Sequence, residues 1–287
     1  MTPTTHPARP GHPAVHVPMT VARELAELAV VALTFPLGWT ELGRRALCRP
    51  PTPSRGRGDA GPRRTPVVLV HGYGANRSAW LPLERRLSQE GFLHVHAHTY
   101  NVLTTSVQAM AETLVARCAD AAEEAGTEQV HVLGHSLGGI VLRCAVQRCG
   151  LASWLSTAVT VAAPHRGARA AFLGPGNVAA SLRPGSALLE DLRRGREDSE
   201  LRWVAYYSDA DLVVPPGSAR LSSDVLGARD VLVPGVGHLG ILRAPAFLDS
   251  VVGLLLDRDL ATSAAPDRAP VRSRPAGWAR RPAAGCI

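Results

Sequence analysis

The sequence predicts an α/β protein with a mostly parallel central sheet and helices on both faces. Over residues 66–258, strand-length runs of β-branched residues alternate with segments of helical periodicity. This alternation is typical of βαβ units, whose crossover helices cover both faces of a sheet. The chain of 287 residues, 46% hydrophobic and 19% charged, is long enough to form one large domain of this kind.

The predicted elements follow one another in a regular order. The run VVLV after residue 66 predicts the first strand, and Trp80, Leu83 and Leu87 at helical spacing predict the helix that follows. The remaining predicted elements are a strand over 92–100, a helix over 105–125, a strand over 129–133, a helix over 137–149, strands over 157–162, 202–207 and 230–233, and a helix over 246–256.

Three segments outside residues 66–258 have a composition that does not support a packed core. Residues 1–20 contain five prolines, and residues 259–287 are rich in Pro, Arg and Ala. Both ends are therefore predicted to be disordered. Residues 48–65 combine Pro, Gly and Arg without apolar periodicity, which predicts a linker.

Residues 21–47 are predicted to form an N-terminal amphipathic or hydrophobic helix, interrupted at Pro36 and Gly38. Only 13 uncharged residues separate Glu27 from Glu41, fewer than the roughly 20 needed to span a bilayer. Three alternatives stay open for this helix: docking on the domain, lying at a membrane surface, or serving as an uncleaved anchor. Because acidic residues stand where a signal peptide needs positive charge, we expect a cytoplasmic or membrane-associated protein rather than a secreted one.

Composition argues against nucleic acid as a partner. The net charge is +7, but all 31 basic residues are Arg, and aromatic residues make up only 5% of the chain. The five cysteines form no C-x-x-C pair and are odd in number, which indicates neither a zinc site nor a complete disulfide framework. A reducing compartment is the simpler interpretation.

A candidate nucleophile lies between a predicted strand and a predicted helix. Gly134-His135-Ser136-Leu137-Gly138 is a G-x-S-x-G sequence. In this context the serine occupies a strained strand-to-helix turn, and the flanking glycines remove side chains that would clash. Ser136 is therefore the predicted nucleophile; the alternative is a tight turn with an idle serine.

A serine nucleophile needs a base, and the base needs a carboxylate that fixes its tautomer. In sheets of this kind both follow the serine along the chain, in loops at the carboxyl ends of strands. His238 lies in a Gly-flanked loop after the strand over 230–233, and Asp209 and Asp211 follow the strand over 202–207. We choose Asp211 as the acid, because Asp209 is closer to the strand and better placed to cap the loop.

Other histidines receive structural interpretations. His71 is expected to brace the loop after the first strand, and His165 to support the wall of the site. Three more alternate along one strand and share one face, a spacing that can hold a metal. These are His94, His96 and His98. A polar strand face is the favoured interpretation, because no cluster of carboxylates or cysteines joins them.

Acyl chemistry also needs donors for the oxyanion of a tetrahedral intermediate. The backbone N–H of Leu137, next to the serine, is one candidate. The second is the N–H of Tyr73, in the His71-Gly72-Tyr73-Gly74 loop after the first strand. A purely structural glycine turn is the alternative for this loop.

Five motifs together carry a family resemblance that covers residues 66 to about 256. They are VVLVHGYGANRSAW, VHVLGHSLGG, TVAAPHRGA, YYSDADLVVPPGSARL and VLVPGVGHLGIL. In this combination the sequence resembles bacterial lipases and esterases of the α/β-hydrolase fold, especially the small triacylglycerol-lipase group. The resemblance implies Ser136 as nucleophile, Asp211 as acid, His238 as base, and Tyr73 and Leu137 as backbone donors.

The expected function is hydrolysis of hydrophobic carboxylic esters through an acyl-enzyme, with a small-molecule ester or lipid as substrate and no metal or organic cofactor. Residues 164–202 are too few for a large cap domain, so we expect a small or absent lid over an apolar, partly open pocket. An acyltransferase or thioesterase with the same three residues is the alternative among enzymes. A non-catalytic binding protein of this fold is the alternative from another class, and the complete set of candidate residues argues against it.

Overall fold

A computed structural model describes residues 33, 63–102, 105–195, 201–222, 224–225 and 227–263. Apart from Leu33, the predicted helix over 21–47 lies outside these residues, as do the predicted disordered segment 1–20, most of the linker and most of the tail. Within the described part of the chain, no helix is both long and apolar enough to cross a membrane.

A six-stranded parallel sheet forms the centre of the domain, in the order β2-β1-β3-β4-β5-β6. The strands are β1 (Val67–Val70), β2 (Val95–His98), β3 (Val130–His135), β4 (Leu155–Val161), β5 (Trp203–Tyr207) and β6 (Arg229–Leu232). Strands β1, β3 and β4 are buried along their whole length, as expected for central parallel strands.

Seven α-helices connect and flank the strands within the described residues. They are α1 (Leu81–Gln89), α2 (Val107–Ala125), α3 (Leu137–Arg148), α4 (Gly176–Ser181), α5 (Ala187–Arg194), α6 (Pro216–Ala219) and α7 (Pro245–Ser263). The predicted alternation of strands and helices is therefore confirmed.

Alternate residues of strands β1, β3, β4 and β5 enter two different apolar cores. Val68 of β1 packs in a cluster with α2, α3 and α5, whereas Val67 packs in a second cluster with residues of α1 and α7. The sheet is thus covered on both faces, as the sequence predicts.

The folded domain extends beyond the predicted limits of 66 and 258. Arg63 pairs with the strand region near Phe92, since its N–H donates to Gly91 O at 3.1 Å and its carbonyl accepts from Leu93 N at 3.2 Å. At the other end, α7 continues to Ser263. Both differences from the predicted limits involve backbone hydrogen bonds, which can form whatever the apolar composition of the segment.

A small cap lies between β4 and β5. It contains a 3₁₀ turn (Arg169–Phe172), α4 and α5. Val178 and Leu189 of the cap are buried in the same core as α3, so the cap packs on the domain. This agrees with the expectation of a loop and one or two helices rather than a separate domain.

Candidate active site

Ser136 occupies a strained turn between β3 and α3. Its backbone has φ 52° and ψ −120°, a region that side-chain-bearing residues seldom adopt. A Cβ on Gly134 would lie 2.4 Å from the Gly138 carbonyl carbon, and a Cβ on Gly138 would lie 2.3 Å from Val70 O. Both glycines are therefore required by close packing, and together they bring the serine to the carboxyl edge of the sheet.

Ser136, His238 and Asp211 form one buried chain of polar contacts. The Ser136 Oγ lies 3.0 Å from His238 Nε2, and His238 Nδ1 lies 2.8 Å from Asp211 Oδ2. The residues are between 6% and 9% exposed. The structure thus brings together the three side chains that the sequence predicts for nucleophile, base and acid.

The two candidate carboxylates have different contacts. Asp211 Oδ1 accepts hydrogen bonds from the N–H groups of Val213 and Val214, both at 2.8 Å, which orients Oδ2 toward His238. Asp209 instead accepts from Gly235 N at 2.8 Å. Asp211 is therefore the carboxylate at the imidazole, and Asp209 connects the loop after β5 to the loop that carries His238.

The predicted oxyanion donors belong to the two backbone segments that adjoin Ser136. A Cβ on Gly72 would be 3.0 Å from Ser136 Cβ, so the loop after β1 passes directly over the serine. Leu137 is the first residue of α3, where an N–H has no acceptor within its own helix. Both predicted donors thus belong to backbone next to the nucleophile, and the missing Cβ at Gly72 permits this close approach.

A side-chain contact that the sequence did not predict joins this loop to the cap. The Tyr73 hydroxyl donates to Pro175 O at 2.8 Å, across 102 residues of sequence. Near it, Phe172 and Leu173 are 59% and 91% exposed. The apolar tip of the cap is therefore held to the same loop that carries a predicted oxyanion donor.

His71 and His165 are buried and contact structural partners. The His71 ring stacks on Tyr100 with centroids 4.3 Å apart, and the Tyr100 hydroxyl donates to the His71 carbonyl. His165 Nε2 lies 3.1 Å from Thr160 Oγ1. Burial lowers the pKa of both histidines, so their neutral forms are favoured. These contacts agree with the bracing roles expected of them.

The histidine face of β2 contacts helix α2. His96 Nδ1 lies 2.7 Å from Arg117 Nη2, and His96 Nε2 lies 3.6 Å from Glu124 Oε2. His98 lies 3.4 Å from Thr113 Oγ1. Across the described ranges, no three or more His, Cys, Asp or Glu side chains are grouped as a metal would require.

His135, the variable residue of the G-x-S-x-G sequence, has a role that sequence reasoning missed. Its Nε2 lies 3.0 Å from the carbonyl oxygen of His238, and the two rings are 4.9 Å apart. Burial, assisted by the nearby His238, lowers the pKa of His135 to about 3. Its position beside the serine was the only available signal, and that position does not reveal a contact with a residue 103 positions away.

This buried histidine makes the fold less stable in acid. Between pH 6.5, the ordinary pKa of histidine, and about pH 3, the unfolded chain binds a proton at His135 that the folded chain does not. The free energy of unfolding therefore falls as the pH falls through this window, by an amount on the order of 1 kcal/mol per pH unit from this residue.

Thermal melting between pH 7 and pH 4 measures this effect. We expect His135→Gln, which cannot titrate, to flatten the dependence of Tm on pH relative to the wild type. An unchanged slope in the variant would contradict the assignment of this pH dependence to His135.

Comparison with known proteins agrees with this architecture. Residues 66–208 match the family model for palmitoyl protein thioesterase, a span that includes Ser136 and ends before Asp211 and His238. In structure, the chain is similar to a Bacillus licheniformis lipase in its mature form, with a TM-score of 0.59, 16% identity, and coverage of 70% of this chain and 96% of the lipase.

Two further solved structures show the same fold. A Paleococcus ferrophilus monoacylglycerol lipase aligns with a TM-score of 0.55 and 19% identity, covering 69% of this chain and 96% of that one. An α/β hydrolase from the sediment metagenome of the Mar Chica lagoon aligns with a TM-score of 0.51 and 17% identity. This alignment covers 71% of this chain and 98% of that one. The predicted resemblance to lipases and esterases of the α/β-hydrolase fold is thereby confirmed: the chain has this fold, and residues 66–208 match the palmitoyl protein thioesterase model.

Proposed function

We propose that this protein is a serine carboxylic-ester hydrolase that acts on hydrophobic acyl esters. The observation that carries the proposal is the buried chain from Ser136 through His238 to Asp211, with contacts of 3.0 and 2.8 Å. A hydroxyl within hydrogen-bond distance of an imidazole, itself oriented by a carboxylate, is the arrangement that activates a serine at neutral pH.

In the proposed reaction, Ser136 Oγ attacks the acyl carbonyl while His238 Nε2 takes its proton. Asp211 holds the Nδ1–H tautomer of His238 and stabilises the imidazolium that forms. The imidazolium then donates the proton to the departing alcohol, leaving an acyl-enzyme. Water, activated by the same histidine, attacks the acyl-enzyme and releases the acid.

Charge in this reaction develops at two places that the site can stabilise. The N–H groups of Tyr73 and Leu137 donate to the carbonyl oxygen as it becomes an oxyanion. The two N–H groups that bind Asp211 Oδ1 hold the carboxylate so that Oδ2 faces the imidazolium that forms on His238. The glycine-lined loop thus contributes main-chain donors that need no side-chain rearrangement during the reaction.

The surroundings of the site support an apolar substrate. Leu212, which follows Asp211, is 54% exposed, and Phe172 and Leu173 of the cap are also exposed. The cap over this region contains only two short helices. Hydrophobic acyl esters, including lipid-like ones, fit these features better than charged esters do.

A thioesterase is the second candidate function, and the palmitoyl protein thioesterase match over residues 66–208 favours it. The same three residues would form the same acyl-enzyme, with a thiol in place of an alcohol as leaving group. An acyltransferase would differ only in the second nucleophile, an alcohol or amine in place of water.

The test uses oxygen esters and thioesters that share the same acyl chain, compared over several acyl lengths. We expect hydrolysis of p-nitrophenyl esters, with kcat/KM rising as the acyl chain becomes more apolar. If kcat/KM is higher for thioesters than for the matched oxygen esters, the protein is a thioesterase rather than an ester hydrolase. Acyl transfer to an added alcohol in preference to water would identify an acyltransferase. If none of these substrates is turned over, the protein is a non-catalytic binding protein.

A further inference from the structure

The loop that carries His238 is held at three points by polar side chains from other parts of the chain. The contacts are Ser208 Oγ to Val236 O at 2.6 Å, Asp209 Oδ1 to Gly235 N at 2.8 Å, and His135 Nε2 to His238 O at 3.0 Å. Two of these side chains come from the loop after β5. The third comes from the residue next to Ser136, and it alone among the three contacts His238 itself.

The direction of the His135 contact is fixed by chemistry. A carbonyl oxygen can only accept, so His135 Nε2 carries the hydrogen and donates it. The ring is 1% exposed, and its neutral form is favoured by burial. The groups near this ring include His238, His71, Gly72 and Trp80, whose ring lies perpendicular to it with centroids 6.4 Å apart. The hydrogen bond to the His238 carbonyl favours a charged ring, but burial and the nearby His238 outweigh it and keep the pKa of His135 low.

This hydrogen bond closes a short ring of connections around the reacting atoms. One peptide bond joins Ser136 to His135, one hydrogen bond joins His135 to the backbone of His238, and the His238 side chain returns to Ser136 Oγ. The position of Ser136 is itself fixed, since its N–H donates to Val161 O at 2.9 Å. Because this connection is short, the distance between the nucleophile Ser136 and the base His238 can vary only a little.

We propose that His135 is a positioning residue for the reaction proposed above: by donating to the His238 carbonyl it sets the distance between His238 Nε2 and Ser136 Oγ. The inference rests on the proposed function of the site. Because His135 is neutral, it supplies this restraint without placing a second positive charge 4.9 Å from the imidazolium that forms on His238.

The test compares His135→Gln, which keeps an N–H donor, with His135→Leu and His135→Met, which fill the space without one. Each variant is titrated with a fluorophosphonate, so that kcat refers to reactive sites. We expect both donor-free variants to lose about 10- to 100-fold in kcat with little change in KM, because small displacements of reacting groups cost about this much. His135→Gln should stay within about fivefold of the wild type.

Equal losses in His135→Gln and the donor-free variants would overturn the proposal, since packing alone would then explain the effect. An unchanged kcat per titrated site in His135→Leu or His135→Met would also overturn it. Circular dichroism melting identifies a variant that has not folded. If one donor-free variant does not fold, the kcat of the other one tests the proposal.

A readout without substrate separates this inference from the proposed function. A His238 Nδ1–H that donates to Asp211 should give a proton resonance far downfield in NMR spectra. We expect this resonance in the wild type and in His135→Gln, and a shifted or broadened one in the donor-free variants. If the wild type shows this pattern but hydrolyses no ester, the proposed function fails and the positioning role stands. If the wild type and all three variants show the same resonance, His135 does not position His238, whether or not the protein hydrolyses esters.

Discussion

Ser136→Ala should lower kcat for ester hydrolysis by at least about a thousandfold, because it removes the atom that attacks the substrate and leaves only binding and oxyanion stabilisation. Alanine keeps a Cβ at the same backbone φ of 52°, so the turn is not altered and the fold should persist. Steady-state kinetics and thermal melting of the purified variant measure the two quantities separately.

Ser78→Ala is the matched control for this substitution. Ser78 is also buried, at 2% exposed, but lies in the 3₁₀ turn (Arg77–Trp80) before α1. Its removal should leave kcat unchanged. Residual activity of Ser136→Ala above one thousandth of the wild type, or an equal loss in Ser78→Ala, would exclude Ser136 as the nucleophile.

Asp211→Asn should lower kcat by roughly 10⁴-fold, the loss that follows when an amide replaces the carboxylate and the wrong imidazole tautomer is favoured. The Asn Oδ1 can still accept from Val213 and Val214, so the loop itself should keep its conformation. Steady-state kinetics measures the change in kcat, and circular dichroism shows whether the fold is unchanged. If it is, the loss of kcat reports the effect on His238.

Asp209→Asn provides the comparison. Asparagine still offers an acceptor to Gly235 N, and Asp209 makes its described contact to that backbone group rather than to the imidazole. We therefore expect only a mild loss. The opposite ranking of the two variants would assign the acid role to Asp209.

The strands and the individual residues of the candidate site carry local sequence signals, so both could be predicted in large part. Strand β1 is a run of apolar, mostly β-branched residues, and the elbow at Ser136 has glycines at fixed offsets because backbone atoms crowd it. Chain order then limits the base to His238 and the acid to one of two aspartates. The choice of Asp211 agrees with the contacts in the structure.

The remaining features depend on contacts between distant residues, which leave no periodic pattern. The hydrogen bond from Tyr73 to Pro175 spans 102 residues, and that from His135 to His238 spans 103. The pairing of Arg63 next to β2 likewise joins backbone groups, which any residue except proline could supply. Such contacts are specified by the assembled sheet rather than by the identity of neighbouring residues.

Strand β6 has four residues, pairs with β5, and lies at the end of the strand order in the described sheet, with Arg229 and Leu232 exposed. Short edge strands with few buried contacts are the elements that open locally at the smallest free-energy cost. His238 follows this strand, whereas Ser136 follows the fully buried β3. Nucleophile and base therefore belong to regions of different local stability. A fluctuation that detaches the sheet edge would separate them while most of the hydrophobic core remained intact.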